Sequence, residues 1–330
     1  MNPPKCDELD YINFLIAAQQ VFSTVEAAKT SPDERAPAHD AYTRLLQRLP
    51  PDSAALWSEV EALVQRQQGV LVIDDSTLDK PYASKMALVT RHWSGKHGRV
   101  VQGINLISLV WTDRDTRLPC DFRIYNKAQD GLSKNDHFQH MIQQAHARGF
   151  EPELVAFDSW YSGLDNLKLL RQLDWPWLTQ LKSNRHVSVD RTGNRAIADI
   201  LIPPHGRIVH LKGYGWIRVF KVAATNGGVE YWATSVLDMP LETCALHALD
   251  AWQVEVYHRG LKQFTGIERG QFRREVSQRN HIGLAIRAFV RLEVHRLHTG
   301  TSWFQSKAQI IRDAIRAYLA HPHLTLGSTA

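Results

Sequence analysis

The chain has 330 residues, 44% of them apolar and ten of them Trp, enough to fill one large domain or two to three smaller ones, which excludes disorder over most of its length. A net charge of +5 and a pI near 9.1 favour an anionic partner, an argument that stays weak until the charges are located. Cys6, Cys120 and Cys244 are too far apart for a disulfide framework or a zinc pair. No run nears the ~18 apolar residues of a membrane span, and the first ten residues are too polar for a signal peptide, so the reading is a soluble, cytoplasmic chain without a membrane partner.

Ile12, Leu15, Ile16, Ala18, Phe22 and Val25 recur at helical spacing and predict a helix over 11–28. A second helix is predicted over 40–49, before Pro50-Pro51, and a third over 53–68, capped by Asp52 or Ser53 and ended by Gly69. Residues 1–69 therefore read as an N-terminal helical domain for DNA binding or dimerisation. The pattern then changes to three strands over 70–73, 104–111 and 118–125, joined by polar segments. A helix over 135–148 stopped by Gly149, a strand over 154–157, a helix over 164–173 and a strand over 177–181 follow. This βββαβαβ order predicts an α/β fold, a mixed sheet flanked by helices, whose first part spans 70–184.

Residues 185–237 read as an inserted β subdomain, with turns at Thr192-Gly193-Asn194 and Asn226-Gly227-Gly228. Helical periodicity returns over 242–264, 276–298 and 303–319. The core is thus expected to resume over 238–300, with a C-terminal helix and tail over 301–330, of which 327–330 are expected to be disordered.

Three acidic features carry the chemistry. Asp74-Asp75 closes the apolar run 70–73, Asp158 closes the run 154–157, and Glu255 lies in a helical pattern. Carboxylates at the ends of buried strands repel one another and are costly to ionise unless a cation neutralises them. Such a set can hold divalent metal, the chemistry of phosphodiester bonds. Each has a plainer alternative: a turn or helix cap for Asp74-Asp75, a helix cap for Asp158, a solvated helix face for Glu255.

The segments Ile73-Asp-Asp-Ser-Thr-Leu-Asp-Lys-Pro81, Phe157-Asp-Ser-Trp-Tyr161, Trp252-Gln-Val-Glu-Val-Tyr-His-Arg-Gly-Leu-Lys-Gln263 and Asn280-His-Ile, followed by Arg287-Ala-Phe, come in this order. In these the chain resembles the insertion-sequence transposases of the DDE superfamily, in the branch related to the IS-four group, over roughly residues 69–296. The resemblance implies a ribonuclease-H-like core and carries the family's acidic triad onto Asp74 or Asp75, Asp158 and Glu255, with Lys262 matching a Lys seven positions after the Glu. Asp74 is favoured over Asp75, because adjacent strand residues face opposite sides. The related Tyr and Arg would fall at Ala248 and Ala251 and are missing, leaving His258 or Arg259 as substitutes.

The implied cofactor is a pair of Mg2+ ions, with Mn2+ as a substitute. The implied partners are double-stranded DNA, as terminal inverted repeats and target, and a second copy of the chain on paired ends. A nucleoid location in the cytoplasm follows from the same reading. The implied reaction is cleavage of the element's ends and their joining to target DNA. Alternatives are a non-catalytic DNA-binding regulator descended from such an enzyme, and a phosphatase, which the absence of Asp-x-Asp disfavours.

Arg259, Lys262, Arg269, Arg273 and Arg274, with Arg279, Arg287, Arg291 and Arg296, form a basic run suited to phosphates or to a solvated helix face. Lys80, Lys85, Arg91, Lys96, His97 and Arg99 are expected in a loop that could grip the cleaved strand. Trp160 and Tyr161 suit either base stacking or core packing, with packing favoured. His137, His140 and His146 read as a partly exposed helix rather than a metal site.

Overall fold

The computed structural model describes residues 4–32, 36–94, 98–223, 227–322 and 324. Its helices are α1 (Glu8–Ala17), α2 (Thr24–Lys29), α3 (His39–Arg48), α4 (Ala54–Val60), α5 (Lys127–Asp130), α6 (Lys134–Ala147), α7 (Leu164–Gln172), α8 (Leu241–Ala251), α9 (Gln253–Phe264), α10 (Glu275–Thr299) and α11 (Trp303–Ala320). Its strands are β1 (Val70–Asp79), β2 (Thr90–Ser94), β3 (Arg99–Thr112), β4 (Arg117–Tyr125), β5 (Leu154–Phe157), β6 (Trp177–Leu181), β7 (His186–Val187), β8 (Arg195–Ala196), β9 (Arg207–Leu211), β10 (Gly215–Ala223) and β11 (Val229–Thr234). These fall into two compact units, one of residues 53–84 and 88–258, the other of residues 1–52, 85–87 and 259–330.

The first unit is built on a nine-stranded sheet in the order β2-β3-β1-β5-β6-β11-β10-β9, with β4 also paired to β3. β3 is long enough to serve two partners on one edge, β2 with residues 99–103 and β4 with 105–112. Its other edge pairs with β1 along the full length of β1, from Val70↔Thr112 to Asp79↔Gly103. β1 therefore runs past the apolar segment 70–73, and the expected strand end at Ile73 lies inside a ten-residue strand. β5 and β6 add parallel to β1, giving the mixed ribonuclease-H-like sheet that the element order implied.

The β segment after β6 is present, and it is continuous with this sheet. β11 pairs antiparallel with β6 from Tyr231↔Leu181 to Thr234↔Leu178, satisfying the free backbone groups of the β6 edge. β7 and β8 form a separate two-stranded ribbon around the expected turn at 192–194. Ala223 pairs with Val229 across the expected second turn, whose Asn226 lies outside the described residues, as does the expected disordered tail.

Phe138, Met141 and Ile142 of α6 and Leu167 and Leu170 of α7 are buried with Leu71, Ile73, Val155 and Phe157 in one core. α8 packs on β1, β5 and β6. The helix expected over 53–68 shortens to α4, which packs on β4 and so belongs with the sheet. Ser53 occupies its cap position but makes no capping bond, because its hydroxyl donates instead to the buried Asp121 of β4. The single helix expected over 242–264 is two helices, α8 and α9, divided at Trp252.

The second unit is helical. α1 and α3 pack on α10, and their inward positions Ile12, Leu15, Leu45 and Leu46 are buried, as are Ile282, Ala285 and Phe289 of α10. The helix expected over 11–28 breaks after Ala17, where Ala18 turns to an extended backbone with ψ 141°. Buried Lys307 of α11 gives the reason: its Nζ donates to the Ile16 and Ala18 carbonyls at 2.5 and 2.8 Å, taking up acceptors that the end of α1 leaves open. Asn280 similarly donates to Leu46 and Leu49 carbonyls at 2.9 Å each, ending α3. His281 Nδ1 lies 3.1 Å from the Tyr11 hydroxyl, so this part of the Asn280-His-Ile segment serves packing.

A Cβ on Gly260 would lie 2.7 Å from the Phe289 ring and 2.8 Å from that of Trp303, so the glycine in Arg259-Gly-Leu-Lys262 permits close ring packing. Gly260→Ala is expected to lower stability by about 1–3 kcal/mol through overpacking, despite the better helix propensity of alanine. Equilibrium urea unfolding measures it, and an unchanged midpoint would refute it. Among the described residues no helix is long and apolar enough to cross a membrane.

Candidate active site

The parallel register of β1 and β5 ends at Ile73↔Phe157. Asp74 and Asp158 are thus the next residue on each of two neighbouring strands, the point at which β5 stops and β1 continues. Side chains alternate along a strand. Ile73 faces the core beneath α6, and Asp75, of the same parity, points the same way, where three donors hold it. Lys134 Nζ and Asn105 Nδ2 reach Asp75 Oδ2 at 2.7 and 2.6 Å, and the Tyr161 hydroxyl donates to Oδ1 at 3.0 Å. Burial, and next the Asp75 charge, push the Tyr161 phenol well above its ordinary range, keeping it a donor.

Asp74 points to the other face, that of α8 and α9. His258 of α9 is buried there, with Nδ1 3.9 Å from Asp74 Oδ2 and Nε2 3.4 Å from the Ser108 hydroxyl. Burial raises the Asp74 carboxyl well above the usual range, and the charges of Asp75, Asp158 and Glu255 raise it further. Asp158, an exposed residue, is raised too, by desolvation first and by Asp75 next. Its Oδ1 accepts from the Trp160 backbone N–H at 2.9 Å, so the capping alternative describes this residue.

Glu255 is exposed in the first turn of α9. Two contacts invisible in the sequence position that turn. Arg117 Nε donates to Gln253 Oε1 at 2.8 Å, and Arg114 grips buried Asp250 through two bonds of 2.8 and 3.2 Å. Arg114 lies in the β3–β4 turn and Arg117 opens β4, so this turn holds the end of α8 and the start of α9.

Asp74, Asp75, Asp158 and Glu255 therefore share an electrostatic environment, within which Asp75 is paired with Lys134. Among the described residues, no three carboxylate, imidazole or thiol groups converge closely enough to enclose an ion. The donor chemistry nevertheless suits a hard divalent cation: oxygen ligands, a buried carboxyl pushed up by its like-charged neighbours, and no thiol.

Residues 9–196, more than half of the chain, match the sequence signature of the DDE superfamily endonucleases. The chain belongs to this family. The match includes Asp74, Asp75 and Asp158 and ends before Glu255. A probable transposase for insertion sequence element IS701, from Microchaete diplosiphon, is 24% identical over 196 residues, which make up 52% of this chain and 48% of that protein. The alignment thus spans about half the length of this curated relative. Among solved structures, a piggyBac transposase synaptic complex with hairpin DNA superposes with a TM-score of 0.53 at 11% identity, over 97% of this chain and 74% of that one, a likeness of fold alone.

The other sequence-predicted residues of this DDE superfamily member separate into exposed and engaged groups. Arg259, Arg269, Arg273 and Arg274 are exposed, and Arg274 donates to Gln47 at 3.1 Å. Lys262 pairs with Glu268 at 3.3 Å, Arg279 with Glu275 at 2.7 Å, Arg296 with Glu293 at 2.9 Å, and Arg287 with Glu8. At least four of the nine residues of the basic run are thus committed to internal pairs. Arg91 and Arg99 stand on the β2–β3 hairpin rather than in a loop, Lys80 is buried, and Lys96 and His97 lie outside the described residues.

Trp160 and Tyr161, for which the sequence leaves base stacking and core packing open with packing favoured, divide. Tyr161 is buried and stacks on Phe138, whereas Trp160 is 56% exposed, with the ammonium groups of Lys134 and Lys182 each 5.6 Å from its ring. His137 turns inward, 3.4 Å from Asp130, while His140 and His146 stay exposed, so the three histidines of α6 do not converge. Lys134 was missed by sequence reasoning. Its only local signal is its place after Ser133, which caps α6 in a reciprocal box with Asp136.

Proposed function

We propose that this DDE superfamily endonuclease is a transposase, which cuts the ends of an insertion sequence and joins them to target DNA. Asp74, Asp158 and Glu255 are its metal-holding carboxylates. What supports this reading is the place of Asp74 and Asp158, each the next residue after the last β1–β5 pair Ile73↔Phe157, with Asp74 on the side of β1 away from the Asp75–Lys134 pair and its carboxyl raised by burial and by the charges of Asp75, Asp158 and Glu255. An anionic cluster of this kind is stable at neutral pH when a cation neutralises it. Asp158 and Glu255 are exposed and keep the rotamer freedom needed to close on an ion.

Bound Mg2+, or Mn2+ in its place, would neutralise charge on the scissile phosphate and lower the pKa of an attacking water or 3′-hydroxyl. The protein's own contribution is positional. β1 and β5 fix two carboxylates at adjacent strand positions, and α9 carries the third together with His258. Arg117 and Arg114 hold the turn from which Glu255 projects. Asp75 and Lys134 form a neutral pair that braces Tyr161, and Asp75 is not a ligand in this reading. The exposed Arg99, Arg259, Arg269, Arg273 and Arg274 meet phosphates and set register rather than sequence preference. Two copies act together on paired ends, and light scattering of the assembled DNA complex is expected to give at least two protomers.

The test is cleavage of a labelled duplex carrying the inverted repeats that flank the gene, in Mg2+ and in EDTA. Mg2+-dependent nicking at the repeat boundary is the expected result. Binding to the repeats without nicking under any divalent cation would instead identify a DNA-binding regulator.

A further inference from the structure

We propose that His258 is a positioning residue of the acidic site, whose buried imidazole orients the Asp74 carboxylate and seats the helix that carries Glu255. This rests on the metal-holding reading above and adds to it the group that sets one ligand's orientation from within the protein.

Three observations converge on the imidazole. First, Asp74 is the register partner of Ser108 across β1 and β3, and residues directly opposite in an antiparallel pair present their side chains on one face. Second, His258 of α9 lies against both members of that pair, with Nε2 3.4 Å from the Ser108 hydroxyl and Nδ1 3.9 Å from Asp74 Oδ2. Third, the ring is 3% exposed, whereas Glu255, three residues earlier and so on the same face of α9, is exposed. The histidine is therefore the anchored end of that face and the glutamate its free end. A ring this enclosed meets the carboxylate rather than DNA.

The two contacts also assign the ring's proton. A carboxylate facing Nδ1 favours the tautomer with the hydrogen there, and Nε2 then accepts from the Ser108 hydroxyl. A hydrogen bond spans about 2.7–3.2 Å, so a shift of roughly one ångström closes the Nδ1–H onto Oδ2. One oxygen of Asp74 is then held by the protein and the other is left to a cation. Outer donors of this kind fix the orientation of a ligating carboxylate, and losing one weakens metal binding about 10–100-fold. A histidine that only filled space would have no use for its ring nitrogens, so removing the donor while keeping the bulk separates the two roles.

The test uses the full chain without DNA and Mn2+ as the probe, with binding followed by loss of the free-ion paramagnetic resonance signal and folding by the Tm in EDTA. His258→Leu keeps the bulk without the donor and is expected to weaken Mn2+ binding about 10–100-fold. His258→Asn places an amide NH2 where Nδ1 stands and should restore most of that affinity, although its Tm should be the lower of the two, because it buries a smaller, polar side chain. Ser108→Ala removes the anchor of Nε2 and should weaken Mn2+ binding in the same direction, a second route to the answer if His258→Leu does not fold. Wild-type Mn2+ affinity in every folded variant of His258 and Ser108, or affinity that simply follows Tm, would overturn the role. Asp158→Ala is measured alongside. If it loses Mn2+ while the His258 and Ser108 variants keep it, the positioning role fails alone; if it binds Mn2+ as wild type does, the metal-holding reading fails and the role of His258 with it.

Discussion

Asp158→Ala and Glu255→Ala are each expected to lower Mg2+-dependent cleavage by on the order of 10³-fold or more, because a lost metal ligand forfeits several kcal/mol of transition-state stabilisation. Both residues are exposed, so the variants should fold, Glu255→Ala melting like wild type and Asp158→Ala losing about 1 kcal/mol with its cap on the Trp160 backbone N–H. The sharper comparison lies on β1. Asp74→Asn should be as damaging as the other two. Asp75→Asn should retain measurable cleavage but lose about 1–3 kcal/mol of stability, since it leaves Lys134 without its counter-ion. Single-turnover cleavage together with thermal melting separates these outcomes. If Asp75→Asn abolishes Mg2+ dependence and Asp74→Asn does not, the two aspartates exchange roles.

The adjacent aspartates show how far the sequence could be read. Strand alternation established that only one of the pair could enter a site, and the two apolar runs ending in Asp identified neighbouring strands. What distinguishes Asp75 from Asp74 lies 30, 59 and 86 residues downstream of it, in Asn105, Lys134 and Tyr161, and no local pattern records those contacts. The extent of β1 was hidden for a related reason. Asp74 to Thr77 are polar and half-buried, so hydrophobic periodicity ends at Ile73, while backbone pairing with β3 continues to Asp79.

The helical errors have one physical source. Apolar spacing continued through Ala18 and through Trp252, so each segment read as a single helix, but periodicity is blind to where carbonyls are captured. Lys307 takes those at the end of α1, and Asp250, held by Arg114, fixes the end of α8. The preference for core packing failed at Trp160 for a different reason: a Trp beside a Tyr after a buried strand gives no indication of which ring turns inward. The basic run after His258 was legible as composition, yet its internal partners Glu268, Glu275, Glu293 and Glu8 were not, and they leave fewer free cations than the sequence suggests.

Divalent cation should stabilise this protein, and Asp74 should set the size of the effect. In the metal-free fold the Asp74 carboxyl is raised well above its ordinary value of 3.8 by burial and by the neighbouring carboxylates. A raised carboxyl means that the folded state holds a proton which the unfolded chain releases. The corresponding stability is fully present below pH 3.8 and is lost as pH rises through the folded-state value, so at neutral pH the ionised cluster opposes folding. Asp74→Asn removes that opposition and is expected to raise the Tm in EDTA.

Mg2+ at about 100 times its Kd should add roughly 2.7 kcal/mol to wild type, an increase in Tm of roughly 5–10 °C, and much less to Asp74→Asn. The wild-type Tm in EDTA should fall between acid and neutral pH relative to the variant, and Mg2+ should close that gap. Calorimetric scans across pH, with and without Mg2+, test both signs. If Asp74→Asn melts lower than wild type in EDTA and responds equally to Mg2+, the buried carboxylate is a structural group, and the metal, if one binds, is held without it.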